Sequence, residues 1–302
     1  MDKLVSMRVF VQVAESSSFS KASELIGISR AMATKHIMEL ENALGARLLN
    51  RTTRRLSLTD AGAAYFQSCS QILAEIDDAE QLVSGLSSEP RGTLRINAPM
   101  SFGILHLAPA VVDFAKVYPE VGIDLALNDR LVDLVEEGFD LAVRISRREE
   151  SSLITRKLAA TRMVVCGSPD YLAQHGTPAV PAALLGHRCL SYTYWASQKE
   201  WRFQGLDGPH VVRIATHFQA NNGDVIRLAA LRGLGLALLP TFIVGADLKA
   251  GRLRMVLPDY QPPELFIHAV YPHRRHLSAK VRNFIDFLAA RFAQPAYWDE
   301  WG

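Results

Sequence analysis

The sequence predicts a multidomain α+β protein with an N-terminal winged helix-turn-helix, a long linker helix and a C-terminal α/β domain. Three observations support this fold class. Short helical patterns separated by a glycine turn occupy the first 58 residues, a heptad-spaced segment follows, and short apolar runs alternate with helical ones after Gly92. The 302 residues are long enough for two or more folded units.

Composition favours a globular protein of a reducing compartment. Hydrophobic residues make up 49% of the chain and charged residues 21%, as in ordinary globular proteins. The three cysteines are too few and too scattered for a disulfide framework or a CxxC metal site. The N-terminus lacks an apolar signal segment, and the longest apolar run, 233–246, is too short to cross a bilayer. We therefore expect a cytoplasmic protein that does not contact membranes.

Positive charge is concentrated near the N-terminus. Residues 30–55 carry six basic and two acidic side chains, a local charge of +4, whereas the whole chain carries +2. The remaining 276 residues are therefore slightly acidic. A basic N-terminal segment on a nearly neutral body predicts a polyanion-binding domain, and a solvated basic face is the alternative.

The N-terminal segment has the order helix, short helix, glycine turn, helix. Apolar spacing predicts a first helix over 4–15 and a second over 21–26, which the Ser20 hydroxyl is placed to cap. Gly27 supplies a tight turn, and a third helix follows over 30–44. This is the order of a helix-turn-helix motif.

The third helix has an apolar stripe and an opposite face of small, hydroxylic and basic side chains. At 100° per residue, Ala33, Ile37, Leu40 and Leu44 form the stripe that should face the core. The opposite face suits a DNA major groove, where methyl groups contact thymine and Lys or Thr reaches base-edge acceptors. An ordinary exposed helix face, the alternative, would carry more Glu and Gln. The predicted base-reading residues are Arg30, Ala31, Thr34, Lys35 and Met38.

Residues 49–62 predict a β-hairpin wing after the third helix. Two short extended pieces flank a Thr-Thr-Arg-Arg tip. Arginine and threonine side chains donate hydrogen bonds to phosphate oxygens or enter a minor groove. The residues predicted to hold the DNA in this way are Arg51, Thr53, Arg54 and Arg55.

The stretch 10–62 resembles the DNA-binding domain of LysR-type transcriptional regulators. The resemblance is carried by SFSKASEL at 18–25 and LGARLLNRTTRRLSLTDAG at 44–62. It implies a winged helix-turn-helix at 1–58 that binds promoter DNA, with RNA polymerase as a further partner. Family members often have Ser or Pro and then Ser where this chain has Ala31 and Thr34, so the operator contacts of relatives do not transfer.

Segment 59–88 predicts a dimerisation helix. Its apolar residues are spaced alternately four and three apart, which is typical of a coiled-coil seam. A helix packed on its own domain is the alternative, whereas the family resemblance implies pairing between subunits as a dimer or tetramer. Residues 87–92 then serve as a hinge. The predicted seam consists of Tyr65, Cys69, Ile72, Ile76, Ala79, Val83 and Leu86.

The rest of the chain predicts an α/β domain with largely parallel sheets. Strands are predicted at 94–97, 123–127, 141–145, 163–166 and 266–271, and helices at 105–117, 131–137, 224–232 and 279–292.

The order of these segments resembles the two-lobed effector domain of LysR-type regulators, which is similar to periplasmic binding proteins. The resemblance implies one lobe at 91–163 and 270–302 and a second lobe at 164–269. It also implies that the chain crosses between the lobes near 163–167 and 267–269.

Polar residues at strand ends predict an effector cleft between the lobes, because strand ends and helix N-termini there present unpaired N–H groups to an anion. We expect Ser101 to bind a carboxylate and nearby aromatic rings to form apolar walls. Competing interpretations are Ser101 as a helix cap, Arg144 as an ion-pair partner of Asp133 or Asp140, and the aromatic residues as core. The predicted effector-binding residues are Ser101, Phe102, Arg144, Ser146, Tyr194, Trp195, Phe218, Asn221 and Asn222.

The sequence lacks the short motifs of an enzyme. GxGxxG, GxxxxGK[ST], HExxH and GxSxG do not occur, and the His-Arg-Arg-His run at 273–276 lacks Cys or acidic neighbours for a metal. We expect no cofactor. A solute-transport role conflicts with the predicted DNA-binding domain at the N-terminus. Two alternatives remain open: an effector-independent architectural DNA-binding protein, and a redox-sensing regulator acting through Cys166 and Cys189.

The sequence thus predicts a DNA-binding transcriptional regulator controlled by a small molecule bound between two lobes. The expected effector is an organic acid or an aromatic compound. By family analogy, closure of the lobes on the effector shifts the arrangement of the dimer and the spacing of its DNA-binding heads.

Overall fold

The computed structural model describes residues 2–51, 56–83, 89–147, 153–194, 200–272, 277–292 and 296–300. The chain divides into two compact units, an N-terminal unit, Met1–Ser88, and a C-terminal unit, Glu89–Gly302.

Three helices form the head of the N-terminal unit: α1 (Lys3–Ser16), α2 (Phe19–Ile26) and α3 (Arg30–Leu44). The predicted Ser20 cap of α2 is wrong, because the Ser18 hydroxyl accepts from the Lys21 N–H and starts the helix two residues earlier. Phe19, the first helical residue, packs against the head core. The Ser29 hydroxyl caps α3 by accepting from the Met32 N–H at 3.2 Å.

The core of the head is built from one apolar face of each helix. Leu44, predicted to complete the α3 stripe, is 38% exposed, because it is the last residue before the left-handed Gly45 and projects past the core. The wing strands β1 (Leu49–Arg51) and β2 (Leu56–Leu58) pair antiparallel. Fully buried core residues include Phe10, Val13, Ala22, Ala33, Ile37 and Leu40.

Helix α4 (Asp60–Val83) packs part of its predicted dimer seam against its own head. Cys69 is fully buried in the head core, and the Tyr65 ring lies 5.6 Å from the Phe10 ring. Cys69 is therefore not available to a partner helix, which corrects the seam prediction at this position, and Tyr65 is half-buried against the head. Ile72 is 43% exposed. The side chains of the predicted seam residues Ala79, Val83 and Leu86 lie outside the described residues.

The first sheet of the C-terminal unit has the strand order β4-β3-β5-β14-β6. Strand β3 is parallel to β4 and β5, whereas β14 is antiparallel to β5 and β6. The strands are β3 (Gly92–Ala98), β4 (Val121–Leu127), β5 (Leu141–Ser146), β6 (Ile154–Thr161) and β14 (Leu265–Tyr271).

A long apolar helical segment covers this sheet. Helix α5 (Met100–Phe102), a π turn at Gly103–Leu107 and α6 (Ala108–Val117) follow without a break. By length and composition, Met100–Val117 is the one stretch in the described part of the chain that meets the requirements of a membrane span. Burial in the domain core accounts for part of its apolar character, since Phe102, Leu107 and Phe114 are inaccessible to solvent, whereas Ile104 and Val112 are exposed.

The second sheet has the order β11-β8-β12-β7-β13. Its helices are α7 (Pro169–His175), α8 (Gly223–Leu231) and α9 (Thr241–Lys249), and α10 (Ala279–Arg291) returns to the first sheet. Strands β9 (Glu200–Gly205) and β10 (Gly208–Arg213) form a separate antiparallel hairpin. The strands of the second sheet are β7 (Met163–Gly167), β8 (Cys189–Tyr192), β11 (Thr216–Ala220), β12 (Leu236–Pro240) and β13 (Arg254–Val256).

Three predictions for this unit require correction. Both sheets are mixed rather than largely parallel, because β14 and β7 each pair antiparallel with two neighbours. Residues 131–137 form turns instead of a helix, with the Asp133 carboxylate accepting from the N–H groups of Val135 and Glu136. The chain leaves the first sheet at Arg162, next to the crossover expected near 163–167, but it re-enters that sheet before Leu265, so the crossover expected near 267–269 lies inside β14.

Candidate DNA-binding face and effector cleft

Helix α3 presents the predicted base-reading side chains on one outward face. Arg30, Ala31, Lys35 and Met38 are exposed, whereas Ala33 and Ile37 on the opposite side are fully buried. A helix with a buried apolar back and an exposed front of this composition fits a major groove.

Thr34 on this face is half-buried, and its hydroxyl donates to the Arg30 carbonyl at 2.9 Å. Its oxygen keeps lone pairs that accept a hydrogen bond, and its methyl group is available for contact with thymine. Thr34 is therefore suited to reading bases chiefly as an acceptor and an apolar contact.

The wing is tied to the head by hydrogen bonds at its base. The Glu41 carboxylate accepts from the Leu48 N–H at 2.9 Å and the Leu49 N–H at 3.2 Å. The Thr59 hydroxyl donates to the Arg47 carbonyl at 2.7 Å. These bonds hold the hairpin beside α3. The predicted phosphate contacts Thr53, Arg54 and Arg55, and the side chain of Arg51, lie outside the described residues.

A cavity of about 430 Å³ lies between the two sheets of the C-terminal unit. Its volume falls in the usual range of small-molecule sites. Its apolar walls come from both sheets and their helices, and include Phe102, Ile145, Leu239, Phe242, Ile243 and Leu265. Its polar lining includes Ser101, Asn128, Asp129, Arg144, Tyr192 and Tyr194.

The structure brings four of the predicted effector residues together at this cavity: Ser101, Phe102, Arg144 and Tyr194. Trp195 lies outside the described residues.

Four other predicted effector residues do not line the described cavity, and this is a correction. Asn222 instead caps α8, its side-chain oxygen accepting from the N–H groups of Asp224 and Val225, and Asn221 is exposed. Phe218 packs against the domain core, and Ser146 is the last residue of β5, opposite Phe266.

Ser101 is the buried hydroxyl of the cavity wall. Only 5% of its surface is exposed, and its Oγ has no hydrogen-bond partner within the described part of the chain. Pro99, not Ser101, is the N-cap residue of α5, which excludes the simple capping role. A Cβ added to Gly223 would lie 3.4 Å from the Ser101 Oγ and 2.4 Å from Ile243 Cδ1. Glycine at 223 therefore lets α8 approach the cavity closely.

Arg144 is held in the opposite wall by hydrogen bonds that include two uncharged acceptors. Its guanidinium donates to the Asn97 side-chain oxygen at 2.7 Å and to the Val132 carbonyl at 3.2 Å. The predicted ion-pair partner Asp140 contacts Lys280 Nζ at 3.4 Å. Since Asp133 accepts from backbone N–H groups, these hydrogen bonds favour a cavity role for Arg144 over a structural ion pair.

Asp129 lines the cavity but was not predicted from the sequence. Its Oδ1 accepts from the Met100 N–H at 2.8 Å, and its side chain is half-buried. Burial raises the pKa of Asp129, and the nearby Asp224 carboxylate adds to this effect. The signal in the sequence was the Asn-Asp pair directly after β4, the same strand-end position that identified Ser101.

Cys166 and Cys189 are unsuited to a redox switch. Both are buried, but on opposite faces of the second sheet: Cys166 is paired with Ala237 in one apolar cluster, whereas Cys189 is paired with Leu236 in the other. Burial raises the pKa of each thiol to about 12, which disfavours the reactive thiolate. Burial and raised pKa values thus disfavour the redox alternative. No cluster of three metal-ligating side chains occurs within the described ranges.

A winged helix-turn-helix joined to a two-sheet α/β domain with a cavity defines a DNA-binding transcriptional regulator with a substrate-binding domain. Residues 4–63 match the family description "Bacterial regulatory helix-turn-helix protein, lysR family", and residues 87–293 match "LysR substrate binding domain". The chain belongs to the family of LysR-type transcriptional regulators.

Similar proteins cover nearly the whole chain. An uncharacterized HTH-type transcriptional regulator of Haemophilus influenzae is 40% identical over 281 residues, 93% of this chain and 98% of that protein. The structure of CrgA, a LysR-type regulator from Neisseria meningitidis, is 34% identical with a TM-score of 0.61, covering 96% of this chain and 98% of that one. Full-length AphB, a Vibrio cholerae virulence activator, is 31% identical with a TM-score of 0.60, covering 95% and 98%. These relatives are transcriptional regulators, not enzymes.

Proposed function

We propose that this regulator reads an operator through α3 and the wing and responds to a small molecule in the cavity between the two sheets. The observation that carries the sensor role is the buried Ser101 hydroxyl, which lacks a partner among the described residues and lines an apolar-walled cavity. Buried polar atoms are nearly always hydrogen bonded, so such an atom in a cavity wall suits a ligand contact.

The proposed division of labour on DNA follows from side-chain chemistry. Lys35 donates to base-edge acceptors, and Ala31, Thr34 and Met38 present apolar groups to thymine methyls. Arg30 lies at the edge of this face. Arg51, Thr53, Arg54 and Arg55 of the wing bind phosphates or a minor groove, contacts that position the protein without reading sequence.

Two variants separate base reading from phosphate binding. Thr34→Ala should change the preference among operator sequences, whereas Arg54→Ala should weaken binding to all sequences and lower the salt slope by about 0.9. The measurement is fluorescence anisotropy with a set of operator variants at several salt concentrations. Arg254→Ala, on an exposed position of β13, is the charge-matched control. An equal loss on every sequence for Thr34→Ala contradicts the base-reading role.

Signal transfer is proposed to follow a population shift. A molecule that binds the closed arrangement of the two sheets better than the open one shifts the equilibrium by its differential affinity. In a dimer or tetramer this shift alters the spacing of the heads and, through it, contact with RNA polymerase. The exposed Ile72 on α4 supports self-association through the linker. We infer from the family that the protein acts in the cytoplasm.

A thermal-shift screen tests the sensor role. The purified full-length protein is exposed to small organic acids, aromatic compounds, alcohols and amines. A ligand at about 100 times its Kd should stabilise the C-terminal unit by about 2.7 kcal/mol. Ser101→Ala should abolish the response, whereas Ser146→Ala, which changes a hydroxyl that does not line the described cavity, should preserve it. A flat response to every class favours the effector-independent DNA-binding alternative.

A further inference from the structure

The helix that opens beside the cavity already has a carboxylate at its N-terminus. Helix N-termini attract anions because their first N–H groups are unpaired and the helix dipole is positive there. At the start of the Met100–Val117 helical segment, the Asp129 carboxylate accepts from the Met100 N–H at 2.8 Å. The position at which a ligand carboxylate would be expected is therefore occupied by the protein itself.

The surroundings keep this carboxylate in place and add further negative charge. The side chains of Asn222 and Tyr192 lie near Asp129 and favour its charged form. Asp224, in the first turn of α8, interacts unfavourably with it, which together with burial raises the pKa of Asp129. A ligand carboxylate placed here would meet two like charges.

The nearby positive charges are directed elsewhere. Arg130 forms a two-pronged ion pair with Glu137, and Arg144 donates to Asn97 and the Val132 carbonyl. The Arg130 charge is paired with Glu137, whereas Arg144 keeps its charge in the opposite wall, because both of its named acceptors are uncharged. Beside the Met100 N–H the structure places the Asp129 carboxylate, with that of Asp224 near it.

Two buried polar atoms of the same cavity are unsatisfied by the described chain. They are the Ser101 Oγ and the Asn128 Oδ1, and Ser101 is 95% buried. The Ser101 hydroxyl both donates and accepts, the Asn128 amide oxygen accepts, and the Asp129 carboxylate keeps acceptor positions beyond the one used by the Met100 N–H. Beside the helix start the cavity thus presents the acceptor oxygens of Asp129 and Asn128 and one hydroxyl.

From this arrangement we infer that the cavity binds its effector through a hydroxyl or amino group that donates to Asp129 and Asn128, and that it disfavours a carboxylate there. This inference rests on the proposed sensor function and replaces the organic acid expected from the sequence. The remaining walls, which include Phe102 and Phe242, suit an apolar body such as an aromatic ring with a short chain. The ligand class is therefore a small aromatic or aliphatic alcohol or amine.

Three probes with one body and different head groups test the inference. They are phenethylamine, 2-phenylethanol and 3-phenylpropionate, added to the full-length protein at neutral pH. Binding is measured by saturation-transfer NMR and by the thermal midpoint. The amine or the alcohol should bind at least about tenfold more tightly than the propionate. Tighter binding of the amine than of the alcohol indicates an ionic contact between the ligand and Asp129. Tighter binding of the alcohol indicates that an uncharged hydroxyl donates to Asp129.

Asp129→Asn provides the decisive variant. Asparagine keeps an oxygen that accepts from the Met100 N–H but removes the charge, so the helix start should stay capped. The variant should weaken amine binding about tenfold and improve propionate binding. Asp133→Asn is the matched control, because Asp133 lies in the same loop, accepts from two backbone N–H groups and does not line the described cavity.

Each outcome decides the inference. Propionate binding as tight as that of the donors, or an unchanged order of affinities in Asp129→Asn, overturns it. If propionate binding is also lost in Ser101→Ala, the sensor function stands and only the donor preference fails. If no probe binds and the broad screen is also flat, the proposed sensor function fails together with this inference.

Discussion

Gly62→Ala sets helix propensity against close packing. Alanine is favoured over glycine in a helix by about 1 kcal/mol, so the local sequence alone predicts stabilisation. In the structure, however, a Cβ at Gly62 would lie 2.0 Å from the Leu48 carbonyl oxygen and 2.8 Å from its carbon. Because the obstacle is backbone, the wing must move away from α4. That movement stretches the bond from the Thr59 N–H to the Leu48 carbonyl, now 3.0 Å.

For Gly62→Ala the expected loss of folding stability from overpacking exceeds the gain from helix propensity. Overpacking costs up to about 3 kcal/mol and a lost hydrogen bond about 1 kcal/mol, against about 1 kcal/mol gained from helix propensity. A net loss of about 3 kcal/mol should speed hydrogen–deuterium exchange of the first turns of α4 roughly 100-fold in the full-length protein. Ser68→Ala, on an exposed position of the same helix, should leave exchange nearly unchanged or slow it. Equal or slower exchange in Gly62→Ala would refute the reasoning.

Three further outcomes are expected in the C-terminal unit. Burial lowers the pKa of His106 below 6.5, so on acidification the unfolded chain binds a proton before the folded chain does. The free energy of unfolding should therefore fall below that pH, by at most about 1.4 kcal/mol per pH unit. Urea denaturation from pH 7 to 5 should show a smaller fall in His106→Gln than in the unmodified protein. Cys166 and Cys189 should not react with a thiol reagent in the native protein, including protein that has been treated with peroxide, because both thiols are buried. Both should react once the protein is unfolded. Rapid labelling of either thiol in the native protein would contradict their burial. Phe114→Ala should reduce the free energy of unfolding by about 3–5 kcal/mol, because the ring is fully buried and its centroid lies 4.9 Å from that of Phe284. Chemical denaturation measures this loss. A loss below about 1 kcal/mol would contradict the prediction and show that neighbouring side chains fill the space left by the ring.

The local sequence determined the head of this protein. Apolar spacing and the Gly27 turn predict three helices, and the structure has them within two residues of the expected bounds. These features depend on neighbours within one or two helical turns, which a single sequence displays directly. Ser101 and Arg144 are predicted for a similar reason, since Ser101 follows β3 and Arg144 lies near the end of β5, and these two parallel strands end at the same edge of the sheet.

Interactions between distant segments decided the rest. Whether Cys69 faces a partner or its own head depends on how α4 packs on α1, and the heptad spacing is compatible with both. Residues 131–137 have a helical pattern, yet they form turns. In this conformation Val132 and Leu134 are both buried against Ala142 and Val270 of the sheet. Asp129 became a cavity residue only because the start of a helix 29 residues earlier in the chain lies beside it. Contacts between distant segments are stabilised by burial and by hydrogen bonds that form only in the folded protein. The periodicity of residues along the chain does not reveal which segments will meet.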